Sequence, residues 1–154
     1  MNMIEIKNIN GEVIYTHEGE SLAGADLRKA DLIHADLSVF DLRWTELTGV
    51  NLTNNDMSGA DLRWSDLSGV NLGETELTGA DLRWANLKGA DLNRANLSRA
   101  DLRWASLEGA DLSSADLRSA DLRWADLRSA DLSSADLTDA KLDGAVSTGA
   151  NIKE

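Results

Sequence analysis

Arg-Trp recurs at intervals of 20 residues, as Arg43-Trp44, Arg63-Trp64, Arg83-Trp84, Arg103-Trp104 and Arg123-Trp124, and the chain has no other tryptophan. An indole beside a guanidinium can stack on a second ring, hold a cation over its face, or bury apolar surface against a partner. Carboxylates are the other abundant group. Asp31, Asp91, Asp111 and Asp131 are separated by multiples of 20, and so are Asp36, Asp56, Glu76, Asp116 and Asp136. Converging carboxylates can hold Ca²⁺, and a pair in unequal surroundings can do acid–base work. His17 and His34 are the only histidines, and neither has companions that would complete a metal or catalytic cluster.

Charge narrows these options. The net charge is −12, from 27 acidic and 15 basic residues. That argues against direct binding of nucleic acid and against an anionic membrane surface, because both need a basic face. The absence of Cys excludes disulfides, thiolate nucleophiles and Cys metal sites. No apolar run approaches the ~20 residues of a spanning helix, and no basic-then-apolar signal segment opens the sequence, so the cytoplasm is the expected compartment.

The elements that position these groups follow from a period of five. From Leu22 to Leu142 every fifth residue is Leu, except Met57. The residue two before is usually Ala, and the residue between is usually Asp or Asn. On an α-helix, five residues advance the Leu by about 140°, so no apolar stripe forms. On a continuous strand, alternate Leu would face water. A corner in every unit reconciles the pattern. Ala and Leu then point inward from a short extended stretch, Asp points outward between them, and two small or polar residues make the turn, as in Thr48-Gly49, Ser68-Gly69 and Ser113-Ser114.

The A-(D/N)-L-x-x unit, held over residues 20–152, resembles the pentapeptide-repeat family. The resemblance implies an all-β fold, a right-handed quadrilateral β-helix with four units per coil. About six coils of 20 residues are expected, and the Arg-Trp interval is then one turn. Stacked at the strand spacing of ~4.8 Å, the coils form a rod of roughly 30 Å. Residues 1–20 do not repeat. Ile4 and Ile6, then Asn10-Gly11, then Val13 and Tyr15 predict a hairpin with a tight Asn-Gly turn, capping the open edge of a β-helix that occupies 21–154. Near the C-terminus the unit decays: Lys141 and Val146 replace the acid, and Ser147 takes a Leu position. Where Ala stands later, the first half has Phe40, Thr45, Val50, Asn55, Ser65, Val70 and Thr75. Phe40 and Asn55 are the outliers, read as local repacking with Asn55 hydrogen-bonded to backbone.

On a four-sided coil the outward residues sort into faces. The first carries Asp41, Asp61, Asp81, Asp101 and Asp121 beside Arg43, Arg63, Arg83, Arg103 and Arg123 and is neutral; the second is nearly balanced. The third, with Asp31, Asp91, Asp111 and Asp131, and the fourth, with Asp36, Asp56, Glu76, Asp116 and Asp136, hold the excess acid. A Leu-filled interior leaves no cleft, and columns of carboxylates do not converge. No enzyme activity, metal site or cofactor is therefore expected.

Two readings remain. Some pentapeptide-repeat proteins are acidic rods that mimic DNA and bind DNA gyrase, so the resemblance implies that alternative. Here about nine charges over ~30 Å leave one per ~3.3 Å, about half the density of B-DNA. The other reading is a structural rod with an interaction surface. The Trp position is a corner and faces outward. The five rings are expected to stack in one ladder at ~4.8 Å, with Arg beside each ring. Such an apolar strip suits weak homodimerisation, a planar aromatic ligand or a sugar chain. The near-identity of the later units, with ADLSSADL at 110–117 and 130–137, reads as an engineered or consensus-designed chain. Recent tandem duplication would leave the same trace.

Overall fold

The computed structural model describes residues 1–152. Each five-residue unit forms one side of a square coil. The corner closes when the Leu carbonyl accepts the N–H of the next unit's first residue, as from Ala85 to Leu82 and from Ala105 to Leu102, both 3.0 Å. The second corner residue has φ near +60°, as at Asn54, Glu74 and Ser114, which is the signature of a type II turn. Twenty residues on, the chain lies above itself. Leu82 N–H donates to the Asp101 carbonyl at 2.7 Å, and Asp101 N–H donates to the Ala80 carbonyl at 2.9 Å. Parallel bridges link Asp41, Asp61, Asp81, Asp101 and Asp121 in one column, with a matching column on each other face. The fold is an all-β, right-handed quadrilateral β-helix.

The interior is a column of Leu on each side, buried from Leu22 to Leu132, with Met57 in the one exceptional place. Ala fills the space between in the later coils. In the earlier ones Thr45 and Ser65 donate their hydroxyls to the Leu42 and Leu62 carbonyls, both at 2.7 Å. Thr75 and Asn55 reach instead to the previous coil, donating to Leu52 at 3.0 Å and to Leu32 at 2.8 Å. Every one of these carbonyls also closes a corner. Its second lone pair is what lets a small polar residue stand in an apolar core. Asn55 Oδ1 is buried and has no partner. Phe40 is half-buried against the core. Toward the C-terminus Leu137, Leu142 and Ile152 are only partly covered.

The hairpin comprises β1 (Met3–Asn8) and β2 (Val13–Glu18), paired antiparallel. Its connection is wider than the expected two-residue Asn10-Gly11 turn. Gly11 N–H donates to the Asn8 carbonyl at 2.9 Å, and Gly11 then takes φ +81°. Asn8 organises the loop, because its Oδ1 accepts from Asn10 and Glu12 N–H. The other edge of β1 pairs antiparallel with β3 (Ala35–Asp36), through Lys7 and Asn8. Ile6 is fully buried in the Leu core.

Candidate interaction strip

Each Arg of the first face closes a two-pronged ion pair with the Asp two residues before it. Arg63 Nε donates to Asp61 Oδ1 at 2.8 Å and Arg63 Nη2 to Asp61 Oδ2 at 2.7 Å. Both side chains flank the buried Leu62 on an extended stretch, so they emerge on the same side. Four of the five also approach the Asp one coil on: Arg43 to Asp61 at 3.7 Å, Arg63 to Asp81 at 3.6 Å, Arg83 to Asp101 at 3.5 Å and Arg103 to Asp121 at 3.7 Å; for Arg123 that position is Lys141. The column thus alternates in sign and relieves the repulsion of stacked like charges. The Arg43 guanidinium holds Asp41 down at about 2, chiefly through their hydrogen bond. Asp61 and Asp121 are lowered in the same way by Arg63 and Arg123.

The Trp residues occupy the second corner position. Their φ values are +63° at Trp44, +58° at Trp64, +63° at Trp84, +58° at Trp104 and +64° at Trp124. A bulky residue with positive φ is a backbone outlier, disfavoured by roughly 1–2 kcal/mol. Gly49, Gly59, Gly69, Gly79, Gly89 and Gly109 fill the same position elsewhere, without that cost. Only the recurrence of Gly at this corner, nine times from Gly24 to Gly149, hinted in the sequence that Trp stands in a left-handed site.

The rings do point outward, but they do not form one ladder. Trp44 stacks on Trp64 with centroids 4.8 Å apart and planes 5° from parallel, and Trp84 stacks on Trp104 at 4.9 Å and 4°. Among the described residues no ring contact joins Trp64 to Trp84 or Trp104 to Trp124. The ring that completes each pair is the one with its own Arg over it: Arg63 lies 5.5 Å from the Trp64 centroid and Arg103 5.8 Å from that of Trp104. A guanidinium competes for the aromatic surface that a third ring would need. Trp124 lies instead against Gly144, one coil further on, where a Cβ would run into its indole Cε3, Cζ3 and Cδ2.

The acidic faces are explained by the corners. One carboxylate oxygen of each Asp accepts the N–H two residues on: Asp31 from Ile33, Asp91 from Asn93, Asp111 from Ser113 and Asp131 from Ser133 on the third face. On the fourth, Asp36, Asp56, Asp116 and Asp136 accept from Ser38, Ser58, Arg118 and Thr138. Asn71 and Asn86 do the same for Gly73 and Lys88. This is why Asp and Asn interchange in the repeat: the position fixes a turn. Glu76 is longer and accepts instead from Asn96 Nδ2 at 3.0 Å. Arg118 lowers Asp116, and the Thr138 hydroxyl lowers Asp136. Among the described residues, no group of His, Cys, Asp and Glu is placed to hold a metal ion.

No curated protein matches the chain. A family profile described as pentapeptide repeats matches in eight copies, over residues 18–43, 41–73, 56–94, 75–113, 95–133 and 130–154. Among solved structures, the chain is similar to HetL, a pentapeptide repeat protein involved in heterocyst differentiation regulation in the cyanobacterium Nostoc sp. strain PCC 7120. The TM-score is 0.64 and the identity 36%, over 75% of this chain and 62% of HetL. A pentapeptide repeat protein of the Arabidopsis thaliana thylakoid lumen matches with a TM-score of 0.52 and 31% identity, over 67% of this chain and 65% of its own. The chain therefore spans less than two thirds of the length of either relative. QnrB1, a plasmid-mediated fluoroquinolone resistance protein, matches at 19% identity with a TM-score of 0.32, too low to carry its activity over.

Proposed function

The chain belongs to the pentapeptide-repeat family, and from that premise we propose that it is a non-enzymatic rod whose Arg-Trp strip is an interaction surface, engaged by a second copy of the chain. The observation that carries this reading is the placing of five Trp, each 38–58% exposed, at left-handed corners. The coil needs its Leu, its Ala and the turn-capping Asp. It does not need an indole at a corner, where Gly, Ser and a scatter of other residues such as Asn54, Glu74 and Arg94 serve elsewhere and backbone energy disfavours a bulky side chain. Stacking in pairs offsets part of that cost and still leaves a long apolar stripe in water, which is the mark of an association surface.

The DNA-mimic reading has no comparable support. Its acidic columns are the turn-capping residues of the repeat, and their charge density is low. Light scattering over a wide concentration range tests the proposal, comparing the parent with a variant carrying Ser at all five Trp positions. Ser already occupies such corners at Ser114, Ser119, Ser129 and Ser134. The parent is expected to gain mass with concentration and the variant to stay monomeric. One mass for both at every concentration would remove the reading.

A further inference from the structure

Past Met57 the chain has one kind of readily oxidised side chain. Residues 58–154 contain no Tyr, Met, Cys or His, and four of the five Trp lie there in one column. Met57 itself is sealed in the core, and Tyr15, the only tyrosine, lies in the hairpin. A positive charge left on this column by loss of an electron has only the next indole to move to.

The indoles are spaced for that movement. Trp44 and Trp64 are parallel within 5° at 4.8 Å, and Trp84 and Trp104 within 4° at 4.9 Å, so each pair shares a positive charge between two π systems. The other two steps are also one coil each, ~4.8 Å along the rod. There the coils are tied by hydrogen bonds from Trp64 N–H to the Arg83 carbonyl and from Trp104 N–H to the Arg123 carbonyl, both 3.2 Å. Electron transfer falls off exponentially with distance, so four such steps outrun a single step of ~19 Å from Trp44 to Trp124. Arg63 and Arg103 lie over Trp64 and Trp104 and oppose a cation on those rings. Asp61 and Asp101 hold the two guanidiniums in two-pronged pairs and cancel most of that repulsion. The terminal rings are the most exposed, Trp44 at 57% and Trp124 at 58%, against 38–48% for the three between them. Electrons therefore leave and enter the column most easily at its ends.

We infer that the Trp column is a relay for oxidising equivalents, running between Trp44 and Trp124 and fed by a cationic one-electron oxidant, which the net charge of −12 attracts. The oxidant gains one electron from the Trp44 indole and leaves a radical cation there. Trp64 then gives an electron to Trp44, Trp84 to Trp64, Trp104 to Trp84 and Trp124 to Trp104. No bond forms or breaks in these steps. At the exposed Trp124 the radical cation passes its Nε1 proton to water and remains as a neutral indolyl radical. The relay uses the strip but not the second copy proposed above, so either can fail without the other.

The absence of Cys lets one introduced thiol carry the oxidant. Gly24→Cys stands one coil before Trp44, where the Cβ direction is open, and is labelled with a ruthenium(II) polypyridyl complex. A flash in the presence of a soluble electron acceptor converts the label to ruthenium(III), which oxidises Trp44. Trp124→Tyr marks arrival, in a Tyr15→Phe background so that position 124 holds the only phenol, because a tyrosyl radical absorbs at wavelengths distinct from an indolyl radical. Two labelled proteins are compared by transient absorption at concentrations where the chain is monomeric, one with the column otherwise intact and one that also carries Trp64→Ser and Trp84→Ser. The intact column is expected to give tyrosyl radical in a yield independent of protein concentration. The Ser variant leaves a step of ~14 Å from Trp44 to Trp104 and is expected to lose roughly ten-fold or more of that yield. Equal yields from the two proteins, a yield that rises with protein concentration, or an indolyl radical that never gives tyrosyl would overturn the relay.

Discussion

Trp124 lies flat against the backbone of Gly144, which takes φ +73°. The strip therefore ends on a glycine that serves both as a left-handed corner and as a platform for the last ring. Gly144→Ala should cost the ~1–2 kcal/mol of a left-handed Cβ and also displace the indole. Gly69→Ala is the control. Its φ is +64° and nothing lies within 4 Å of its Cβ direction, so it should show the backbone cost alone. Both variants should melt earlier, and only Gly144→Ala should change the tryptophan fluorescence. A change of equal size in both would mean that Trp124 does not rest on Gly144.

Asn55 carries the opposite balance. Its Nδ2 donates to the Leu32 carbonyl, which keeps the Ala35 N–H as a second donor. Its Oδ1 is buried without a partner, at a cost of ~1–3 kcal/mol. Asn55→Ala removes that burden and strands no group, at the cost of one hydrogen bond worth ~0.5–1.5 kcal/mol. The variant should be no less stable than the parent in urea. Leu92→Ala, in the filled interior, should lose ~2–5 kcal/mol. A loss above ~1 kcal/mol for Asn55→Ala would show that Oδ1 is satisfied, for instance by a buried water.

These two sites show where the sequence was legible. A five-residue period fits neither a helix nor a continuous strand, so a corner in every unit, the inward Ala and the outward Asp could be read from it, whereas the four-sided coil came from the resemblance to the pentapeptide-repeat family. The neutral Asp–Arg column followed from two residues flanking one buried Leu. The left-handed corner was half-legible: Gly49, Gly59 and Gly69 shared the place of Trp44, but small residues suit many turns. The pairing of rings was hidden. Identical Arg-Trp units take different contacts: Trp44 stacks on Trp64 and Trp84 on Trp104, Arg63 and Arg103 lie over the second ring of each pair, and Trp124 lies against Gly144. The Asn8–Glu12 loop was hidden for a similar reason, since the Asn8 side chain widens the turn beyond Asn10-Gly11.

The ion-pair column predicts a pH dependence. Asp41 is held at about 2, against ~3.9 in an unfolded chain. A depressed carboxylate contributes stability that is complete above the unfolded value and is lost as pH falls through the folded one. Arg43→Gln should therefore be less stable than Arg99→Gln, which changes net charge equally on the fourth face. Asp41 and Arg43 are more than a third exposed, so the difference should be at most ~1 kcal/mol. It should hold steady from neutral pH to about pH 5 and vanish between about pH 4 and pH 2. A difference that persisted at pH 2 would have to come from packing of the Arg43 stem and not from the pair.

Paired rings and a continuous ladder differ in their energetic coupling. Trp44 and Trp64 are stacked at 4.8 Å, whereas Trp64 and Trp84 make no ring contact although they are one coil apart in the same column. Replacing each by Ser loses stacking but relieves part of the left-handed strain, so single variants should shift stability by less than ~1 kcal/mol. The double variants separate the two arrangements. The Trp44/Trp64 cycle should give a coupling of ~0.5–1.5 kcal/mol, and the Trp64/Trp84 cycle a value near zero. The cycles are measured in urea at concentrations where the chain is monomeric, so that no partner contributes. Equal couplings along the column would restore the continuous ladder.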